Sequence, residues 1–234
     1  MIEIVMLNSF NTLETFFVFK VSCIYLRLIM KDKILDKATE MFLNLGFKSV
    51  TMDDIALELG ISKKTIYQHF KTKTALVESS TFYLFESISS GITFICEAAD
   101  NPIEELFQIK RFVSDYLKDE KSSPQFQLKK YYPKTYNRLF HKQLEVISEC
   151  LQSNIINGIS CKMYRSEIDV AFVTRIYVSG MLGIKDTDLF PLEIFVPSDL
   201  AHKFLEYHIR AIATDSGLEI LKNFCNEQTN QSNG

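Results

Sequence analysis

SKKTIYQHFKTK, residues Ser62 to Lys73, is the stretch that decides how this chain folds. It carries four lysines and a histidine without an acidic residue, which gives it a formal charge of +4 with the histidine neutral. Ile66 and Phe70 lie four residues apart, so both fall on one face of a helix. The stretch therefore predicts a short helix that is buried on one side and basic on the other, a surface that suits a polyanion.

A second predicted helix precedes this stretch, and a glycine turn joins the two. The hydroxyl of Thr51 can cap the start of that helix, and Asp54 follows three residues later as in a capping box. Gly60 lies in the turn, and Ser62 caps the basic helix. This order is that of a helix-turn-helix, in which the second helix enters the major groove of DNA. An ordinary pair of helices within a bundle is the alternative, and the one-sided basic set favours DNA.

The composition predicts a globular, all-α chain of ordinary charge. Of its 234 residues 47% are hydrophobic and 24% are charged, with 8 glycines and 5 prolines. Long apolar-periodic stretches with few breakers indicate helices. The net charge of −3 does not by itself indicate a nucleic-acid binder, so the local excess of lysine matters more than the total. A small DNA-binding module on a larger, acidic body has this pattern.

The region from Lys33 to Val77 resembles the N-terminal domain of the TetR (tetracycline-repressor) family of bacterial transcription regulators. The resemblance involves many positions at fixed spacing, which are Ala38, Phe42, Gly46, Thr51, Ile55, Ala56, Gly60, Ile61, Ser62, Thr65, Ile66, Tyr67, His69, Phe70, Lys73 and Leu76. It implies an N-terminal three-helix DNA-binding domain, followed by a helical domain that binds a ligand and dimerises.

The resemblance also implies that nine side chains contact DNA. One is Ser62, at the start of the basic helix. Phosphate contacts are implied for Thr51, Tyr67, His69 and Lys73, and approaches to base edges for Lys63, Lys64, Thr65 and Gln68. A lysine can donate to guanine O6 and N7, and a glutamine can pair with adenine N6 and N7. Many family members have glycine in place of Lys64 and an aromatic residue in place of Gln68, so the operator sequence is not predicted.

Apolar periodicity and helix-end signals divide the chain into four segments. Residues 1–29 are an apolar extension, residues 30–76 the helix-turn-helix domain, residues 77–225 a helical regulatory and dimerisation domain, and residues 226–234 a disordered tail. Helices are predicted at residues 31–45, 51–59, 62–70, 72–99, 103–118, 124–132, 133–156, 167–184, 199–214 and 217–224. Gly46 and Gly158 are predicted to stop helices, and Ser198 to cap one.

Residues 1–29 fit neither a membrane span nor a secretory signal. Their apolar run, Phe16 to Ile29, is shorter than the roughly 20 residues that a spanning helix needs, and Lys20 and Arg27 interrupt it. It also lacks the preceding positive charge and the small-residue cleavage site of a signal peptide. We interpret Met30 as the start of translation. An interfacial amphipathic anchor is the alternative.

Aromatic side chains of the third segment, residues 77–225, are candidates for an effector pocket. A regulatory domain of this kind would hold a small molecule between its helices. The candidates are Phe107, Phe112, Tyr116, Tyr136 and Phe172. They suit an apolar or aromatic effector, and plain core packing is the alternative for each ring. Two strongly apolar helices near the C-terminus must bury more than one side, which predicts a four-helix interface in a homodimer; a monomeric core is the alternative.

The sequence carries no recognisable catalytic constellation, so we predict no enzymatic activity, no cofactor and no metal site. His202 and His208 are six residues apart and lie on different faces of a helix, which excludes a metal-binding pair. The cysteines are widely spaced and form no CxxC motif; they are Cys23, Cys96, Cys150, Cys161 and Cys225. We interpret them as reduced, buried and inert thiols of a cytoplasmic protein.

The function predicted from these features is sequence-specific DNA binding by a homodimeric transcription regulator. We expect a ligand-responsive repressor on a palindromic, double-stranded operator. A membrane-associated helical sensor anchored by residues 1–29 is the alternative from another class. An enzyme built on a helical bundle is a weaker one.

Overall fold

The structure is a computed structural model that describes residues 27–116 and 124–231. Every regular element in these two ranges is a helix, and an isolated antiparallel bridge joins Tyr164 to Ala213. The prediction of an all-α chain is confirmed. The helices are α1 (27–45), α2 (Met52–Glu58), α3 (Lys63–His69), α4 (Lys73–Ala98), α5 (Pro102–Tyr116), α6 (Pro124–Tyr131), α7 (Pro133–Ser160), α8 (Val170–Gly183), α9 (Pro197–Ile212) and α10 (Asp215–Gln231).

The described residues form two compact units. Residues 27–84 and 124–135 make up the N-terminal unit, and residues 85–116 and 136–231 make up the C-terminal unit. The division falls within α4 and assigns α6 to the N-terminal unit. The predicted functional boundary between residues 76 and 77 stays a prediction.

The core of the N-terminal unit is built on α1. Ile34 and Ala38 on α1 are fully buried, as are Ile55 on α2 and Ile66 on α3. Gly46 ends α1 with a φ of +85°, a left-handed conformation that glycine adopts without strain. The predicted glycine stop is confirmed there. This core fixes α2 and α3, which are too short to be stable alone.

The core of the C-terminal unit lies between α5, α7, α9 and α10. Its fully or nearly fully buried side chains are Ile103, Leu106, Phe107, Leu151, Ile155, Tyr164, Leu205, Ile209, Ile212, Ala213 and Leu221. The Tyr164 hydroxyl donates to the Asn154 carbonyl oxygen at 3.2 Å, so the one phenolic group in this cluster is satisfied.

Three helix ends differ from the prediction. Helix α7 runs through Gly158 to Ser160, because the Tyr164 ring packs directly on Gly158 and needs a residue without a side chain there. Helix α9 starts at Pro197, and its N-cap Val196 makes no side-chain bond, so the predicted cap at Ser198 is wrong. Helix α10 spans 17 residues, well beyond the short helix predicted at 217–224.

The N-terminal end of the described chain also departs from the prediction. Helix α1 is already formed at residue 27, whereas the pattern placed its start at Lys31. The predictions for residues 1–26 and for the last three residues of the tail lie outside the described residues. In the part of the chain that the structure describes, no helix has both the length and the apolar character that a membrane crossing requires.

Candidate nucleic-acid interface

A capping box fixes the start of α2. The Thr51 hydroxyl accepts a hydrogen bond from the Asp54 backbone N–H at 3.2 Å, and the Asp54 carboxylate accepts one from the Thr51 N–H at 2.8 Å. The Thr51 N–H and the Thr51 hydroxyl both donate to the Asp54 carboxylate, and they lower the pKa of Asp54 because they favour its charged form. The predicted capping box is therefore confirmed.

The turn between α2 and α3 sets the angle at which α3 leaves the unit. Gly60 has a φ of +63°, and the Ile61 N–H donates to the Ala56 carbonyl at 3.0 Å. Ser62 then caps α3, because its hydroxyl oxygen accepts from the Thr65 N–H at 3.1 Å. The two hydroxyls of Ser62 and Thr65 are 2.9 Å apart and bond to each other. The predicted cap at Ser62 is confirmed.

Helix α3 has the two-sided character that its sequence predicts. Ile66 is fully buried and Phe70 is nearly so, and together they anchor the helix to α1 and α2. Four polar side chains point to the outside: Lys63, Lys64, Tyr67 and Gln68 are all exposed. The outer face of α3 thus carries cationic and amide donors on a rigid backbone.

Lys63 already has a partner on α2. Its ammonium group lies 2.7 Å from the Asp53 carboxylate, and both side chains are exposed. The hydrogen bond to Asp53 raises the pKa of Lys63. Such an exposed pair contributes little to stability, because water screens it. Lys63 can therefore leave Asp53 for a stronger anion at little cost.

Lys73 lies at the start of α4 and is only partly exposed. Its ammonium group donates to the Lys48 carbonyl oxygen at 3.4 Å. Burial lowers the pKa of Lys73, and the nearby Asp54 carboxylate acts in the opposite direction. From the sequence alone, a cation in the first turn of a helix is unfavourable, because the helix N-terminus carries a partial positive charge. The structure supplies it with a carbonyl partner and a nearby carboxylate.

His69 lies at the C-terminal end of α3, half-buried beside Phe70, with the two ring centroids 6.5 Å apart. Burial lowers its pKa, and the charges of Arg27 and Lys31 add to this effect. Arg27 also donates to the Gln68 backbone carbonyl at 3.4 Å. Two cations of α1 therefore lie near the end of α3. Arg27 was not among the predicted contacts, because it falls within the predicted N-terminal extension, residues 1–29.

The effector-pocket candidates differ in how deeply the structure buries them. Phe107 is a core residue that stacks on Phe224 at 4.8 Å. Phe112 is partly buried and packs against Gly91, whereas Phe172 is exposed on α8. Tyr136 is partly buried and stacks on Phe140, and the Tyr116 side chain lies outside the described residues. The predicted pocket stays a prediction.

A capped helix-turn-helix with an anchored second helix and a basic outer face defines a DNA-binding domain. Residues 34–79 match the family model described as "Bacterial regulatory proteins, tetR family". This region is thus similar to the DNA-binding domain of the TetR family.

Curated relatives match part of the chain in sequence. The negative transcriptional regulator IcaR of the biofilm operon icaADBC in Staphylococcus aureus (strain Newman) is 32% identical over 90 residues, which cover 38% of this chain and 47% of IcaR. The transcriptional repressor KstR2 of Mycolicibacterium smegmatis is 33% identical over 76 residues, 32% of this chain and 37% of KstR2. The chain thus spans about half the length, or less, of these two relatives.

Solved structures match over a longer stretch. A TetR-family regulator from Agrobacterium tumefaciens has a TM-score of 0.61 and 16% identity, covering 80% of this chain and 100% of its own. A transcriptional regulator from Cytophaga hutchinsonii has a TM-score of 0.64 and 19% identity, covering 77% and 97%. At this identity the likeness concerns the fold, a helix-turn-helix domain followed by a helical domain.

Proposed function

We propose that this protein is a sequence-specific DNA-binding regulator of transcription. The outer face of α3 carries the proposal, because it presents Lys63, Lys64 and Gln68 while Ile66 and Phe70 hold the helix in place. A face of this kind fits the major groove, where lysine and amide side chains meet base edges. A chain with this role works in the cytoplasm, where a bacterium keeps its DNA.

The remaining interface residues would grip the DNA backbone. Tyr67 is exposed next to the lysines, and Thr51 and Lys73 lie at the starts of α2 and α4. Helix starts attract phosphate because their free N–H groups and dipole are positive. Lys63 would exchange the Asp53 carboxylate for a phosphate or a base. His69, whose pKa burial lowers, would donate a hydrogen bond to a phosphate.

We propose a homodimer whose interface is formed by the outer faces of α8 and α9. Phe172 and Ile176 are exposed one turn apart on α8, and Tyr207 is exposed on α9. The opposite faces already pack together, since Tyr177 of α8 lies 4.6 Å from the His208 ring of α9. Two apolar helices with open outer faces suit four-helix packing. The dimer would place two copies of α3 about 34–36 Å apart, in successive major grooves.

Repression is the direction that the relatives favour. IcaR is a negative regulator and KstR2 a repressor by name. We propose that this protein represses its target and that a small molecule releases it by shifting the dimer to a state with a different spacing of the two α3 helices.

Electrophoretic mobility shift with the DNA upstream of the protein's own gene tests the function. We expect a complex on a palindromic fragment, with an affinity that falls steeply as salt rises because phosphate contacts release counterions. Lys64→Ala should weaken the complex, and the control Lys222→Ala, an exposed lysine of α10, should not. If no genomic fragment is retained at low salt, the protein is not a DNA-binding regulator.

A further inference from the structure

We propose that Cys96, Glu105 and Cys150 form a binding site for a thiophilic divalent cation of the Zn²⁺ type. The three residues come from α4, α5 and α7 of the C-terminal unit. Their ligand atoms, two sulfurs and a carboxylate oxygen, all lie within 4.8 Å of one another. The site is independent of the DNA-binding face and of the proposed dimer helices.

The spacing of the two sulfurs suits a shared metal ion. The Sγ atoms of Cys96 and Cys150 are 3.6 Å apart. Two Zn–S bonds of about 2.3 Å at a tetrahedral angle place their sulfurs about 3.8 Å apart. The pair therefore needs to move by only a few tenths of an ångström to hold a zinc ion. A disulfide would require the sulfurs to approach to about 2.05 Å.

The carboxylate of Glu105 sets this cluster apart from an ordinary cysteine pair. Glu105 is 6% exposed and hydrogen-bonds to Cys96 and to the Asn154 side chain. A carboxylate removed from water needs a compensating charge or several hydrogen bonds. A divalent cation between Glu105 and the two sulfurs supplies that charge. Two sulfurs with one oxygen suit Zn²⁺, a borderline-soft ion that accepts sulfur, nitrogen and oxygen ligands.

A second layer of hydrogen bonds holds Glu105 in place. The buried Asn154 amide donates to the Pro102 carbonyl at 2.8 Å, and the Tyr164 hydroxyl donates to the Asn154 oxygen at 3.2 Å. These two bonds hold the Asn154 side chain in the position from which it contacts Glu105. Outer-shell partners of this kind orient metal ligands and tune affinity. The Tyr164 ring itself is wedged on Gly158, so the support is rigid.

An open side gives the ion access to the site. Cys96 is exposed and Cys150 is partly exposed, whereas Glu105 lies at the buried end. Three protein ligands and one position for water or a further ligand make a four-coordinate site. The prediction that the cysteines are buried is wrong for Cys96 and for Cys161, which are both exposed.

Cobalt titration of the reduced, metal-stripped full-length protein under anaerobic conditions tests the site. We expect one Co²⁺ per chain, with sulfur-to-cobalt charge-transfer absorption and the visible bands of a tetrahedral ion, and displacement of cobalt by one equivalent of Zn²⁺. Cys96→Ser and Cys150→Ser should each remove the charge-transfer band of this site. Glu105→Gln should keep sulfur ligation but weaken binding at least about tenfold.

The control is Cys161→Ser, which removes an exposed thiol outside the cluster and should leave the titration unchanged. Circular dichroism of each variant verifies that its helices are intact. If Cys150→Ser misfolds, Cys96→Ser still tests the site, because Cys96 is exposed and its substitution disturbs no core packing. The proposal is overturned if cobalt binds weakly and without stoichiometry, or if the band survives in folded Cys96→Ser. It is also overturned if the reduced protein binds no metal and hydrogen peroxide oxidises the two thiols to a disulfide, with two water molecules released for each peroxide consumed.

Discussion

At the scale of single residues, the interface is defined by which cations are free and which are engaged. Lys64 is exposed on α3, whereas Lys63 bonds to Asp53 and Lys73 to the Lys48 carbonyl. Binding energy depends on the difference between the partners a cation has before and after contact. The engaged lysines should therefore contribute less to DNA affinity than their charge alone indicates.

Asp53→Asn should tighten DNA binding. The substitution releases Lys63 from its 2.7 Å ion pair and removes a negative charge beside the proposed phosphate contacts. From the usual strength of exposed pairs we expect about a two- to fivefold gain in affinity. Fluorescence anisotropy with an operator fragment measures it. In the Lys63→Ala background the same substitution should give a clearly smaller gain; an equal gain would show that the pair does not restrain Lys63.

Gln68→Ala and Lys73→Ala should separate base reading from phosphate binding. Gln68 is exposed on the outer face of α3, so its loss should remove about 1–3 kcal/mol of preference at one base pair. Lys73→Ala should weaken all sequences alike and lower the slope of log affinity against log salt by about one. Binding to a panel of single-base operator variants at several salt concentrations measures both. A uniform loss for Gln68→Ala would contradict its assigned role.

His208 should make the C-terminal unit less stable in mild acid. The ring is buried against Tyr177, and burial lowers its pKa from 6.5 to about 4. Between these values the unfolded chain takes up a proton that the folded chain refuses, so the free energy of unfolding falls as pH drops through that window. Above pH 6.5 this group does not change the free energy of unfolding, and near pH 4 that free energy is lower by about 3 kcal/mol.

Urea unfolding of wild type and His208→Leu at pH 7 and pH 5 measures this effect. The variant should lose less stability than wild type between the two pH values. Ile212→Ala, a core truncation in the same helix, is the control: it should lower stability by about 2–5 kcal/mol at both pH values and keep the wild-type slope. If the free energy of unfolding falls equally from pH 7 to pH 5 in wild type and in His208→Leu, His208 is not the source of the acid sensitivity.

At the scale of helices, two glycines with positive φ lie between helices of the DNA-binding domain, and glycine is needed at each for a different reason. Gly46 ends α1, and an added Cβ there would collide with the Gln127 side chain of α6. The Gln127 oxygen in turn accepts from the Lys48 N–H at 3.3 Å. Gly60 lies in the turn before α3 with nothing within 4 Å of an added Cβ. Backbone strain is common to both positions, and crowding belongs to Gly46 alone.

Gly46→Ala should therefore destabilise the protein more than Gly60→Ala. Left-handed backbone costs a residue other than glycine about 1–2 kcal/mol, which is the whole expected effect at Gly60. At Gly46 displacement of Gln127 adds about 1 kcal/mol for the bond to Lys48. Thermal or urea unfolding of both variants measures the difference. The double variant Gly46→Ala with Gln127→Ala should lower the free energy of unfolding by less than the sum of the two single losses, because both substitutions remove the same bond.

At the scale of the whole molecule, the assembly depends on the apolar residues that the chain leaves exposed. Phe172 is 60% exposed, Ile176 54% and Tyr207 72%, on two helices whose inner faces are already packed. Exposed apolar side chains of this kind support the proposed dimer interface. The exposed residues Leu189, Leu192, Ile194 and Val196 continue it along the connection from α8 to α9.

Ile176→Glu should convert the protein to monomers. A carboxylate buried without a partner costs several kcal/mol, so we expect the dimer to weaken at least about a hundredfold. Sedimentation velocity measures the change. Phe94→Glu is the matched control, because Phe94 is 70% exposed on α4, which is not a helix of the proposed interface; this variant should stay dimeric. A dimeric Ile176→Glu, or a monomeric wild type, would show that this face is not the interface.

The helix-turn-helix could be predicted from the sequence because its determinants are local. Thr51 with Asp54, the turn at Gly60, the cap at Ser62 and the anchors on α3 all act within a few residues. Local hydrogen bonds and helical spacing fix such features without knowledge of the rest of the chain. The all-α class follows in the same way from apolar periodicity.

Tertiary structure alone decided the features whose partners are far apart in the chain. Gly158 reads as a helix stop in sequence, yet the helix continues because the Tyr164 ring packs on it. Arg27 reaches the Gln68 carbonyl 41 residues away. The cluster of Cys96, Glu105 and Cys150 unites three helices, with 54 residues between its two cysteines. No spacing rule connects such residues, because only the packing of helices, which depends on the whole core, brings their side chains together.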